Sequence, residues 1–212
     1  MKEKRLYVVF SATPLKMGTM IRTVTGERYN HISVSFDHKL RKMYSYARYY
    51  KKAPLYGGFV CEKPSRYKNN DKTADVFVCA LPITAQQCLD IKKRLRLMSR
   101  NPKQYIYNFY SAALAPFSRR VFVPNCFTCV EFASHIISMV CPQVKADRFY
   151  SVEQLRRILS PYLVYLGPFP DIEQYNLDSE YHKHIPLYDV CRLSLRSEVD
   201  LFDAFFTSKV LK

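Results

Sequence analysis

The segment Thr128-Cys129-Val130-Glu131-Phe132-Ala133-Ser134-His135-Ile136-Ile137-Ser138-Met139-Val140 constrains what the rest of the chain can build around it. Cys129, Phe132, Ala133, Ile136, Ile137 and Val140 recur at the helical period, while Glu131, Ser134 and Ser138 fall on the opposite side. A helix with so continuous an apolar stripe must bury it against another layer. Thr128 is placed to act as its N-cap. Cys129 then stands at the first helical position, where unpaired backbone N–H groups and the positive end of the helix dipole favour a thiolate. A buried cysteine on an apolar face is also an ordinary packing residue. Cys126, one turn earlier in the loop after Pro124, is the rival nucleophile.

The layer for that helix is legible as strands. Arg5 to Ser11 reads as a first strand. His31 to Phe36 alternates, with Ile32, Val34 and Phe36 on one face and His31, Ser33 and Ser35 on the other. Asp37 to Lys39 makes a turn, Lys42 to Ala47 returns, and Ala74 to Leu81 adds a further strand. Thr13 as N-cap, Pro14 at the first position and Gly26 beyond the end outline a helix from Pro14 to Val24. Thr84 caps an amphipathic basic helix to about Ser99, and further helices are expected over Tyr105 to Leu114, after Ser151, and near Val199 to Phe206. Gly57-Gly58 reads as a turn, since no lysine and helix follow as a phosphate loop needs. The order is that of an α+β protein.

Charge is the second constraint. Thirty-three Lys and Arg against 18 Asp and Glu give a net +15. No acidic residue lies between Ile91 and Val130, which hold Lys92, Lys93, Arg94, Arg96, Arg100, Lys103, Arg119 and Arg120. A second group comprises Lys39, Arg41, Lys42, Arg48, Lys51 and Lys52. Such patches suit an anionic partner, nucleic acid or acidic lipid, though a solvated basic face accounts for them equally well. No zinc-finger, helix-turn-helix or RNA-binding signature accompanies them.

The seven cysteines are odd in number and irregularly spaced, the start fits a strand better than a signal peptide, and no apolar run is long enough for a membrane span. A reduced, cytoplasmic setting is expected. His38, His135, His182 and His184 have no companion ligand pattern and read as exposed side chains, so neither metal nor cofactor is expected.

The motifs taken together resemble the circularly permuted branch of the NlpC/P60 papain-like superfamily. The resemblance runs from about Tyr7 to Leu159. It rests on Thr13 with Ile21-Arg22 and Thr25, Tyr29-Asn30-His31-Ile32-Ser33, Met43-Tyr44-Ser45-Tyr46-Ala47-Arg48, Gly57-Gly58-Phe59-Val60-Cys61-Glu62, and Phe127-Thr128-Cys129-Val130-Glu131-Phe132. It implies a papain-like core with a small antiparallel sheet packed on the nucleophile helix, spanning 1–165, with 166–212 an extension packed on the same domain. It also implies Cys129 as nucleophile, His31 as base, and a third polar residue that orients the imidazole, commonly His, Glu or Gln in that superfamily. The matching place here is Ser45. Tyr44 points to the other face, and the nearest alternative carboxylate, Glu62, reads as a surface or structural ion pair.

The activity implied is that of a cysteine hydrolase, a peptidase or amidase working through an acyl-thioester. Its partner would be a peptide, amide or acyl substrate. A lipid acyltransferase of the same chemistry and a non-enzymatic basic binding module for nucleic acid or anionic lipid are the alternatives.

Overall fold

The structure is a computed structural model and describes residues 4–69, 72–117, 119–170 and 178–210. In chain order the elements are β1 (Lys4–Ala12), α1 (Lys16–Thr25), β2 (His31–Ser35), β3 (Met43–Arg48), β4 (Gly57–Glu62), β5 (Lys68–Asn69), β6 (Lys72–Thr73), β7 (Asp75–Ile83) and α2 (Ala85–Arg100). Then come α3 (Phe109–Leu114), α4 (Cys129–Ser138), α5 (Val152–Leu159), β8 (Leu163–Pro168), α6 (Ser179–His182) and α7 (Leu187–Val210). Six strands form one sheet in the order β4-β3-β2-β1-β7-β8, every neighbour antiparallel. The fold is α+β, and its sheet is larger than the small one expected.

β1 lies at the centre and is covered on both faces, which is why Leu6, Val8, Val9 and Phe10 are all buried despite alternating sides. On one face Leu6, Val8, Phe10, Ile32 and Val34 meet Ile91, Leu95 and Met98 of α2, the Phe132–Ile137 stripe of α4, and Leu155 and Leu159 of α5. On the other face Val9, Met43, Val76 and Val78 are closed over by Leu40, Tyr67 and Phe169. Helices α2, α4 and α5 each begin with a capping box, at Thr84, Thr128 and Ser151. Each cap side chain is worth about 1 kcal/mol, and all three helix starts follow the sequence expectation.

Three expectations change. Thr13 does not cap α1, whose N-cap is Leu15 without a side-chain bond. Thr13 and Asn30 instead exchange two hydrogen bonds, and Arg22 Nη1 donates to both the Thr13 carbonyl (2.8 Å) and Asn30 Oδ1 (2.7 Å). These bonds dock α1 beside the start of β2. Gly57-Gly58 is not a turn but the first residues of β4. A Cβ on Gly58 would lie 2.4 Å from the Tyr105 carbonyl oxygen, and one on Gly57 would lie 2.6 Å from that of Ala47. The approach at Gly57 is that of the paired strand β3, and the one at Gly58 arises because Tyr105 to Tyr107, expected to be helical, runs extended along β4. Phe59 N–H donates to the Tyr105 carbonyl and Tyr107 N–H to that of Gly57, so α3 starts only after the Asn108 cap.

The boundary expected between 165 and 166 cuts through β8, which pairs with β7 from Cys79↔Leu163 to Asp75↔Pro168. The chain after β8 is tied to the sheet region. Asp178 bonds Arg66 at 2.8 Å, Lys51 N–H donates to the Tyr181 carbonyl, and Leu201 of α7 is buried with Ile106, Val123 and Cys126.

Candidate active site

Residues around the start of α4 are held from three sides. Asn125, at φ 61°, turns the chain in a left-handed conformation, and its carbonyl accepts from Tyr46 Oη at 3.2 Å. The Tyr46 ring packs against Phe127 and Phe132, with both centroids 5.4 Å away. Thr128 and Glu131 exchange the two capping-box bonds. Cys129 is thereby set at the first helical position, where its N–H has no acceptor within the helix.

His31 is the first residue of β2, beside Ser11 of β1. Its Nε2 lies 3.1 Å from both carboxylate oxygens of Glu62, and Cys129 lines the same hollow, near enough to favour the charged ring. With Nε2 committed to the carboxylate, Nδ1 is the nitrogen left for the sulfur. Glu62 is the last residue of β4, opposite Met43 in register, and is buried. Tyr67, in the short 3-10 turn that follows β4, donates its hydroxyl proton to Glu62 Oε2 at 2.7 Å. That proton can be given only once, so the 3.1 Å contact between Ser33 Oγ and Tyr67 Oη has Ser33 as donor. A chain of hydrogen bonds therefore runs Ser33–Tyr67–Glu62–His31 through a buried region, with Cys129 beside its end.

Burial by itself would pull the His31 pKa down. The Glu62 carboxylate and the Cys129 side chain override it, and the imidazole is pushed up to about 10. Burial likewise opposes charge on Glu62, but His31, Arg66 and the Tyr67 hydroxyl hold its pKa below the usual carboxylate range. Arg66 is fixed by Asp178 and lies 4.4 Å from the Tyr181 ring centroid.

Ser45 does not meet His31. It is fully buried, and its hydroxyl donates to the Ile32 carbonyl at 2.7 Å, tying β3 to β2. Glu62 stands beside the imidazole where Ser45 was expected, and of the two readings, surface or structural ion pair, it is the structural one. Tyr44 stacks on Phe59 across the sheet face away from His31. Cys126 is buried beside Ile106, Val123 and Leu201, where burial pushes its thiol up to about 11.

Two of the histidines expected to be exposed are not. His135 lies against Phe127, and the His182 Nε2 atom is buried with no hydrogen-bond partner among the described residues. Among the described residues no three His, Cys, Asp or Glu side chains gather as metal ligands.

Cys129 opens onto two adjoining hollows of about 240 and 290 Å³. Met20 and Ile21 of α1, Asn30, Tyr107 and Ala112 line both, so the sulfur stands where the two meet. The first hollow also contains His31, Glu62 and Arg48, whose guanidinium bonds the Lys51 carbonyl and the Tyr181 hydroxyl. The second is walled by Val24, Ala113, Pro116, Val130, Phe149 and Val152.

The basic residues divide. Lys92, Lys93, Arg96 and Arg100 are exposed on α2, whereas Arg48 and Lys51 are engaged in bonds beside the cleft. No protein-family model, curated protein or solved structure matches the chain. Among the described residues no helix is long and apolar enough to cross a membrane.

Proposed function

We propose that the chain is a papain-like cysteine hydrolase of the permuted NlpC/P60 type, acting in a reducing, cytoplasmic compartment. The observation that carries this reading is the His31–Glu62 pair lining the same open cleft as Cys129, which stands at a capped helix N-terminus. The order of a histidine strand followed by a cysteine helix, and the free state of all seven cysteines, accord with it.

The chemistry follows from the charges. His31 held as an imidazolium favours the Cys129 thiolate beside it. The sulfur attacks the substrate carbonyl carbon, and the oxyanion that forms accepts from the unpaired Cys129 N–H. As the carbon–nitrogen or carbon–oxygen bond breaks, His31 gives its proton to the departing group, leaving an acyl-thioester. Neutral His31 then takes a proton from water, whose oxygen displaces the sulfur and releases the acid. Glu62 keeps the imidazole oriented and stabilises its charged form.

A peptide or amide is the default substrate. An acyl-lipid is the second reading, favoured by the apolar wall of the larger hollow, which offers hydrocarbon and few polar groups. Intact-protein mass spectrometry with p-nitrophenyl butyrate tests the activity. A single butyryl adduct on Cys129, absent in Cys129→Ala and slowed in His31→Ala, is expected. No adduct, or an adduct on Cys126, refutes the assignment.

A further inference from the structure

The two hollows that meet at Cys129 are not equivalent. Cys129 and Tyr107 line both, but His31 and Glu62 line only the first. His31 is the group that gives a proton to whatever departs from the carbonyl carbon. The leaving portion of a substrate therefore lies in the first hollow, on the imidazole side. Its acyl portion lies in the second, between Val24, Pro116, Val130 and Phe149.

The first hollow holds two cations, Arg48 and Arg66. Arg66 is paired with Asp178 at 2.8 Å and also acts on Glu62. Arg48 has no ion-pair partner among the described residues, where its guanidinium donates to neutral oxygens: the Lys51 carbonyl at 3.0 Å and the Tyr181 hydroxyl at 3.4 Å. Those bonds orient the fork but leave donors unspent, because a guanidinium carries N–H groups on every nitrogen. Tyr107 relates this cation to the nucleophile. Burial pushes the Tyr107 hydroxyl up, the Cys129 and Glu131 charges add to that, and the Arg48 charge opposes it. Cation and sulfur thus act on one side chain at the junction of the hollows.

We propose that Arg48 binds an anionic group, a carboxylate or a phosphate, on the leaving portion of the substrate. The proposal rests on the hydrolase reading above and adds to it the substrate class: an apolar acyl group carried on an anionic alcohol or amine. The Cys129 sulfur bonds to the carbonyl carbon. The carbon–oxygen or carbon–nitrogen bond breaks with its electron pair going to the departing atom, which takes the His31 proton. The anion stays on the departing portion, so Arg48 holds substrate and first product alike. A planar guanidinium meets either anion with parallel N–H bonds. A wholly structural Arg48 would make the same bonds to Lys51 and Tyr181 but would not discriminate between leaving groups.

The test compares butyryl esters of phenols that differ only in the para substituent: 4-(butyryloxy)benzoate, its neutral methyl ester, 4-(butyryloxy)phenyl phosphate and the 4-trimethylammonium analogue. Butyryl transfer to Cys129 is followed by intact-protein mass spectrometry, and each rate is divided by that with N-acetylcysteine to remove intrinsic reactivity. Wild type should favour an anionic ester over the neutral one by about tenfold or more, the scale of a hydrogen bond between charged partners. The faster of the carboxylate and phosphate esters identifies the anion, and either order supports the proposal. Arg48→Gln should lose the preference, Arg48→Lys should keep part of it, and Arg48→Glu should favour the trimethylammonium ester. Equal rates for anionic and neutral esters in wild type, a comparison that needs no variant, overturn the inference and leave the hydrolase reading standing. So does a preference that Arg48→Gln retains. No Cys129 adduct with any of these esters would refute the hydrolase reading itself, and this inference with it.

Discussion

Replacing Glu62 with Gln removes one charge and almost no volume, so it isolates what the carboxylate does for His31. An imidazole held at about 10 instead of 6.5 favours its charged form by on the order of 5 kcal/mol. Without the carboxylate, burial becomes the dominant influence, and the His31 pKa should fall to 6.5 or below. The effect on stability has a definite pH window. His31, raised in the folded state, contributes fully below about 6.5 and loses its contribution as pH rises through about 10. Glu62, depressed in the folded state, contributes fully above its ordinary value of 4.5 and loses it as pH falls through its folded pKa.

The difference between wild type and Glu62→Gln is therefore greatest from about pH 4.5 to 6.5 and shrinks towards pH 10. At its greatest it should be about 3–5 kcal/mol, the cost of breaking one side of a buried ion pair. Urea unfolding at pH 5.5 and pH 9.5 measures that difference. NMR titration of the labelled imidazole, at pH values where both proteins stay folded, measures the cause. A wild-type midpoint near 6.5, or one that Glu62→Gln does not move, would refute the coupling. So would a stability difference that is the same at both pH values.

Ser45→Ala should cost about 1–3 kcal/mol by leaving the buried Ile32 carbonyl short of a donor, yet leave the pH profile of Cys129 alkylation where it was; a displaced profile would return Ser45 to the site. Tyr67→Phe withdraws one donor from Glu62, so the acid limb of Cys129 alkylation by iodoacetamide should move to higher pH, with a stability loss of about 1–3 kcal/mol. An unmoved acid limb counts against the relay through Tyr67. Gly58→Ala should lower the melting temperature markedly, since its Cβ would press on the Tyr105 backbone 2.4 Å away, and a neutral result would mean that the Tyr105–Tyr107 segment moves freely.

What could be read in advance differs from residue to residue for physical reasons. The α4 cap, its buried stripe and the place of Cys129 at its start are local matters: a threonine reaches its own N3 amide, and the stripe repeats every 3.6 residues. His31 was legible because β2 alternates cleanly up to its first residue. Glu62 was legible as a surface or structural ion pair, of which the structural one is found, but its partner was hidden because Gly57-Gly58 looked like a turn, which left β4 without its beginning. Treated as a strand, Gly58, Val60 and Glu62 share a face, and that alternation was the available signal.

Caps and helical or strand periods are set by neighbours within a few positions, and those the sequence determined by itself: α2, α4 and α5, the central strands, and the positions of Cys129 and His31 at the starts of α4 and β2. The partner of the imidazole was decided only in three dimensions. It depends on the Met43↔Glu62 register, on Tyr67 closing over the same face, and on Ser45 being spent on the Ile32 carbonyl. The joining of the C-terminal segment to the sheet through β8 was decided there too, because strand pairing between distant segments leaves no periodic trace in either one.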